Sequence, residues 1–305
     1  MSVPMEGDRE LKIAAWWNAI TNVILTVAKG VVGILAGSQA LVADGVHSAA
    51  DVAGSLAVVI GLRIARKPPD ADHPYGHGRA EVIAASIVAG FLAAAGLEVM
   101  VSSIKALTEA PVSPEIVAAI TAFVAVIIKE ILYRYNYRLG KRLHSKSLIA
   151  TAYDHRSDVF SSLAALIGIG LSILGERIHI LWLMHMDAVA GIFVALLVLK
   201  MGYEIAKDSW QTLMDRVVVE DENLSPYLQL IEHISGVRRV DDIRVRDHGR
   251  YVIVDVKIRV DAFITVDKGH SVAAEVRHRM KERFPRVQDV LVHVNPYYGD
   301  CGESR

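Results

Sequence analysis

The sequence predicts an α-helical membrane protein with six membrane-crossing helices and a small α+β domain after them. Three observations predict it. Apolar residues make up 52% of the 305 positions, charged residues only 22%, and the charges are segregated along the chain. Apolar stretches of the ~20 residues that a helix needs to cross a hydrocarbon core recur before residue 207. Beyond Asp208 the texture changes to charged sequence with helix and strand periods.

The spans run Ile13–Ala36, Ala40–Leu62, Val82–Leu107, Ile116–Tyr137, Leu148–Leu174 and Leu183–Ala206. An even number of spans puts both chain ends on one side. Lys and Arg collect in cytoplasmic connections. Arg63, Arg66, Lys67 and Arg79 lie between spans two and three, and Arg134, at the end of span four, leads into Arg138, Lys141, Arg142 and Lys146 before span five. The alternate connections, Gly37–Gln39, Thr108–Glu115 and Gly175–Trp182, offer only Arg177, so both termini are expected in the cytoplasm. No organelle address is visible, which points to a bacterial inner membrane. Met1 to Lys12 are polar and lack the apolar core of a signal peptide. The expected organisation is a cytoplasmic segment over 1–12, a membrane domain over 13–207 and a cytoplasmic domain over 208–305.

In the last segment Glu222–Ile234 reads as a helix that Gly236 ends. A strand around Asp242–Arg246 follows, then the turn Asp247-His248-Gly249-Arg250. Over Tyr251–Val260, the residues Val252, Val254, Val256, Ile258 and Val260 alternate with Ile253, Asp255, Lys257 and Arg259, the period of a strand with one buried face. Lys268–Phe284 looks helical, Pro285 stops it, and Val290–Val294 is a last strand. The order αββαβ is that of a small, ferredoxin-like α+β domain.

Composition narrows the chemistry. The net charge of -1 gives no basic excess for nucleic acid. One cysteine, Cys301, excludes an internal disulfide, a CxxC pair and a zinc-finger ligand set. Any metal chemistry must therefore use His, Asp and Glu.

A charge inside a span is costly unless it faces a cavity or a partner, so each marks a candidate site. Span two carries Asp44, His47 and Asp51, and span five carries Asp154, His155 and Asp158. His47 and Asp51 are four apart, as are Asp154 and Asp158, so each pair shares one helical face. Two such faces together make a four-ligand, roughly tetrahedral site. The alternative is that these are helix-end groups or interhelical hydrogen bonds. Two i,i+4 pairs, each followed by small residues that permit close packing, favour ligation. Asp44, nearer the outer end of span two, reads as a helix-start or mouth residue. His155 rivals Asp154, since a three-residue step also shares a face; the four-residue step of Asp154 mirrors span two. After span two, Asp70, Asp72, His73 and His77 fall within eight residues, a density that suits mixed carboxylate and imidazole ligation. A solvated turn is the alternative there. In the last domain Asp241, Asp255, His270, His293 and Asn295 are candidates that scattered surface polarity explains nearly as well.

Taken together, His47-xxx-Asp51, the loop His73-Pro74-Tyr75-Gly76-His77-Gly78-Arg79-Ala80-Glu81, Asp154-His155-Arg156-Ser157-Asp158-Val159 and the six-span-plus-tail plan resemble the cation diffusion facilitators over nearly the whole chain. The resemblance implies a secondary transporter, not an enzyme: a homodimer with its tails paired, exporting a divalent metal from the cytoplasm in exchange for protons. It implies no resident cofactor; the metal is cargo. It places the transport site on His47, Asp51, Asp154 and Asp158, the loop site on Asp70, His73 and His77, and a tail site on Asp241, Asp255, His270 and His293, with Asn295 where some members carry Asp. It also implies a pair between Arg79 and Asp215 that ties the loop to the hinge before the tail. Zinc members typically have His at the position of Asp154. A carboxylate there hardens the site, which suits manganese first and zinc or ferrous iron next. Three rival classes remain. A membrane metallohydrolase lacks its HExxH and a positioned Glu here; a metal sensor or scaffold predicts binding without flux; a passive channel predicts flux insensitive to a pH gradient.

Overall fold

A computed structural model of the chain describes residues 6–217 and 224–299, with side chains from Arg9 onward. Met1–Met5, the start of the helix expected over Glu222–Ile234 and Cys301 lie outside the described residues. The elements are α1 (Glu6–Leu35), α2 (Gln39–Ala65), α3 (Ala80–Thr108), α4 (Ile116–Arg142), α5 (Lys146–Arg177), α6 (Leu181–Met184), α7 (Met186–Leu213), α8 (Ser225–Glu232), β1 (Arg239–Asp247), β2 (Val252–Asp261), α9 (Val266–Arg283) and β3 (Val287–Tyr297). All six expected spans are helical, and each helix outruns its apolar stretch at one or both ends. The sixth begins as the single turn α6, broken from α7 at His185.

The described residues form two compact units, one of those up to Ala57 with Ala85–Ala206, the other of Val58–Ala84 with those from Lys207 onward. In the first, contacts between helices run through small residues, as membrane helices require when no hydrophobic force draws them together. Ala36, Ala40, Leu41, Ala118, Ala122, Ala165, Ile169 and Ala190 make one buried cluster. A Cβ added at Gly45 would stand 2.9 Å from the Gly30 nitrogen, so α1 and α2 touch backbone to backbone. The N-terminus of α2 is capped from α7: Asp187 accepts from the Ser38 hydroxyl at 2.6 Å and the Gln39 amide at 2.7 Å. A carboxylate there satisfies free amides and the positive end of the helix dipole. Large apolar side chains such as Phe91, Ile131 and Phe160 are exposed on the outer faces, a surface that suits hydrocarbon rather than water.

In the second unit the sheet order is β1-β2-β3, antiparallel between β1 and β2 and parallel between β2 and β3, with α9 as the crossover. The inward face read in the sequence is realised: Val252, Val254, Val256, Ile258 and Val260 are buried, and with Tyr227, Ile231, Val276 and Met280 they form the core under α8 and α9. On the other face Asp255, Lys257 and Arg259 are more open, but Ile253 is buried as well, against the expected alternation. The order αββαβ holds, although β3 is longer at both ends than Val290–Val294. A register shift between Val240 and Asp242 makes Asp241 a bulge residue in β1.

Candidate metal centre

Of the His and Asp pairs of spans two and five, Asp158 is buried, His47 and Asp51 are partly buried, and Asp154 is exposed. His47 Nε2 lies 3.5 Å from Asp158 Oδ1. Two ligand atoms about 2.1 Å from one tetrahedral ion stand ~3.4 Å apart, so this pair already has the edge length of a coordination tetrahedron. Asp51 interacts electrostatically with Asp158, His47 and Asp154. The four do not close into a finished cage. Among the described residues Asp70, His73 and His77 are the one group of three His or carboxylate residues whose ligand atoms all lie within 4.8 Å of one another. Asp154 lies on the exposed side of α5. His155 is 2% exposed, its Nδ1 3.7 Å from Asp158 Oδ2. Neither of its ring nitrogens has a hydrogen-bond partner among the described residues. Both candidates of the Asp154-His155 step therefore border Asp158, one from the open side and one from the packed side.

Asp44 is not a mouth or helix-start residue. It is wholly buried inside α2, 2.7 Å from the Lys29 ammonium of α1, and accepts from the Ser161 and Ser162 hydroxyls of α5 at 3.0 and 2.8 Å. Lys29 also donates to Ser48 and Ser162. Its place near the outer end of span two suggests a mouth residue, whereas a lysine one helix away matches the charge inside the bundle. That lysine was legible: Lys29 and Lys129 are ammonium groups in the middle of spans one and four, as costly there as any carboxylate. Lys129, 0% exposed at its side chain, places Nζ 2.6 Å from Asp158 Oδ2 and 2.9 Å from Asn22 Oδ1. Two further polar contacts join the helices: Asn18 and Asn136 exchange side-chain hydrogen bonds at 3.1 and 2.9 Å, and Arg156 pairs with Glu130 at 2.5 Å.

The loop candidates converge. Asp70 Oδ1 lies 3.2 Å from His73 Nδ1 and Oδ2 lies 3.3 Å from His77 Nε2. The local fold makes this: the Asp70 carboxylate accepts the His73 amide at 2.7 Å, closing the turn. That amide is the main reason the Asp70 carboxyl titrates below its usual range, with the His73 and His77 rings adding to it. The donor spacing and the mixture of one carboxylate with two imidazoles fit a borderline divalent cation. In the same unit Tyr251 clamps this loop, donating its hydroxyl to the Tyr75 carbonyl at 2.5 Å and accepting the Gly78 amide at 3.2 Å. A Cβ at Gly78 would stand 2.3 Å from the His248 carbonyl, so glycine alone fits. Arg79 pairs with Asp215, which ends α7 in the left-handed region at φ 57°.

The five tail candidates do not gather into one set: Asp241 and Asn295 meet, Asp255 and His293 line another cleft, and His270 lies on α9. Asp241 accepts from Arg259 at 2.8 Å and from Asn295 at 3.0 Å; burial opposes ionisation, and these two donors overcome it, lowering its carboxyl. Asp255 is paired with Arg246 at 3.0 Å. His270 and His293 are exposed on α9 and β3.

Among the described residues, six helices long and apolar enough to cross a membrane, holding His, Asp and Lys side chains buried in their midst, define an integral membrane protein of the ion-carrying kind. The chain belongs to the cation diffusion facilitator family of metal efflux transporters: the family's cation efflux transmembrane domain matches residues 15–214 and its cation efflux protein cytoplasmic domain matches residues 219–297. It is 41% identical over 279 residues to the manganese efflux system protein MneP of Bacillus subtilis, covering 92% of this chain and 94% of that one. To MneS, a manganese efflux system protein of the same organism, it is 39% identical over 274 residues, with 90% and 91% covered. The magnetosome protein MamB of Paramagnetospirillum magneticum is 35% identical over 282 residues, with 92% and 93% covered. Within the family the chain thus resembles the manganese branch, as its Asp-xxx-Asp step in span five implied.

Proposed function

We propose that the protein exports Mn²⁺ in exchange for protons, working as a homodimer by alternating access, with both termini in the cytoplasm and a bacterial inner membrane around residues 13–207. Residues 208–305 are its cytoplasmic dimerisation domain. The observation that carries the reading is the His47–Asp158 donor pair at 3.5 Å, buried among spans and bordered by two more carboxylates, Asp51 and Asp154. Three oxygen donors to one nitrogen make a hard set, which suits manganese better than zinc. The manganese efflux relatives support the same choice.

Ligands must be deprotonated to hold a metal, so protons and cargo compete for the same side chains. In the inward-open form the carboxylates and the His47 imidazole take the cation. After the site turns outward, protons refill the ligands and the ion leaves. His47 is the natural carrier of one proton, since imidazole changes charge near neutral pH. The Asp70, His73 and His77 cluster is a second cation site, and the tail candidates make a third only if a partner chain completes them.

One observation favours a second reading. His155, buried beside Asp158 with both nitrogens free of partners among the described residues, offers a second nitrogen donor in place of Asp154. Two nitrogens and two oxygens suit zinc or ferrous iron. Sealed vesicles with an imposed pH gradient decide between the readings, with uptake of Mn²⁺, Zn²⁺, Fe²⁺ and Co²⁺ compared in the wild type, Asp154→His and His155→Ala. Manganese preference that moves toward zinc in Asp154→His and survives in His155→Ala supports the first reading; the reverse pattern supports the second. An Asp51→Ala protein that carries metal at the wild-type rate sinks both.

A further inference from the structure

We propose that Lys129 is a specificity- and release-determining residue of the transport site: its ammonium is a tethered cation that neutralises one carboxylate and reoccupies Asp158 when the metal leaves. This rests on the reading of His47, Asp51, Asp154 and Asp158 as the cargo site.

The geometry is specific. Lys129 Nζ lies 2.6 Å from Asp158 Oδ2, and His47 Nε2 lies 3.5 Å from the other oxygen, Oδ1. One carboxylate therefore faces the imidazole donor with one oxygen and the ammonium with the other. Metal and ammonium draw on the same charge, and a cation held by both oxygens requires the ammonium to withdraw. Lys129 has a second acceptor: Asn22 Oδ1 on α1 lies 2.9 Å from Nζ. A lysine stem of four methylenes shifts between two such acceptors by rotamer changes alone.

Charge counting gives the consequence. Asp44 is matched by Lys29, and Glu130 by Arg156 and by Arg134 at the open end of α4, each at pairing distance. The groups left in mutual electrostatic reach are Asp51, Asp154, Asp158 and Lys129, with His47 and His155 beside them. With both imidazoles neutral, three carboxylates and one ammonium leave a deficit of two charges. A divalent cation cancels it. A monovalent ion leaves a residual charge buried in the membrane, and a trivalent ion overshoots; both are penalised in a medium of low dielectric. Without Lys129 the site would be one charge more negative. It would hold a divalent ion harder and let it go more slowly, a poor property in a carrier, which must bind and release in turn.

The test uses the full chain in sealed vesicles under a fixed pH gradient. Relative to the wild type, Lys129→Gln is expected to lower KM for Mn²⁺ by at least about tenfold while the maximal rate also falls, and Lys129→Arg to stay within about threefold on both. La³⁺, used as a trivalent competitor, is expected to inhibit Lys129→Gln at least about tenfold more strongly than the wild type. A residue that only props the helices apart would depress the rate without tightening either ion. Should Lys129→Gln fail to fold, Asn22→Asp makes the same change in charge with the lysine kept, and the same fall in KM is expected. An unchanged or raised KM in whichever of the two folds overturns the role of Lys129 while leaving the transport reading in place. Wild-type vesicles that move no divalent cation overturn the transport reading itself.

Discussion

The Lys29–Asp44 pair invites a double-mutant cycle. Both side chains are 0% exposed and 2.7 Å apart, and Lys29 spends its other protons on Ser48 and Ser162 at 3.0 and 2.9 Å. Removing one partner of such a pair strands a bare charge away from water, which costs about 3–5 kcal/mol. For a membrane unit of this size each kcal/mol moves the melting midpoint by about 2–4 °C, so Lys29→Met and Asp44→Leu should each lower it by roughly 6–20 °C. The double variant Lys29→Met/Asp44→Leu removes both charges. Buried pairs replaced by apolar residues of similar volume are often neutral in stability. The orphaned hydroxyls have a fallback, since serines in helices turn to a carbonyl of the preceding turn. Ser161 already does so, at 3.0 Å from the Asp158 carbonyl. The double variant should therefore melt within a few degrees of the wild type, giving a coupling of at least about 4 kcal/mol. The assay is thermal loss of monodisperse protein in detergent, read by gel filtration after heating. Single-variant losses that simply add in the double variant would refute the claim that the two charges are held against each other.

Three further outcomes follow from the same geometry. His77→Ala removes one of three loop ligands and should weaken one class of Mn²⁺ binding in the full chain by at least about tenfold, as counted by equilibrium dialysis; unchanged binding removes the loop site. Gly78→Ala drives a methyl to 2.3 Å from the His248 carbonyl and 2.7 Å from the Tyr251 ring, both parts of a stiff turn. Overpacking of this kind costs about 1–3 kcal/mol, so the amides of 70–79 should exchange hydrogen faster, and protection equal to the wild type speaks against a tight clamp. Burial, with the Arg79 charge after it, holds the His248 imidazole below its usual range. The released turn then binds a proton more readily than the packed one, so the packing is intact above about pH 6.5 and weakens as pH falls below it. Amide exchange around His248, corrected for intrinsic rates, should speed up between pH 7.5 and 5.5; a ratio that does not move with pH contradicts this.

Fold and site were legible to different depths, for physical reasons. Span positions follow from length and apolarity alone, and β2 announced itself because a half-buried strand must alternate: Val252 to Val260 at every second residue are the tail's core. The loop cluster was legible because its three side chains are local, and a turn closed by Asp70 on the His73 amide needs no distant partner. Partnerships between helices are a different matter. Spacing told which side chains of α2 share a face, but not that Asp44 points into α1 and α5 while His47 points toward Asp158. Asp44, His47 and Asp51 lie within eight residues of one helix, and spacing alone does not tell the carboxylate matched by Lys29 from those proposed to hold cargo. The signal that could have divided them is a balance sheet of charge by span: lysines in spans one and four, carboxylates in spans two and five, and an excess of negative charge left over. Lys29 takes the Asp44 charge permanently, inside a cluster with every polar atom engaged. Lys129 takes the Asp158 charge beside an imidazole that stands at ligand distance and an asparagine that can receive the ammonium. The first arrangement fixes its lysine between one carboxylate and two hydroxyls, and the second leaves its lysine an acceptor other than the carboxylate, the property that the proposed exchange of metal and ammonium at Asp158 requires.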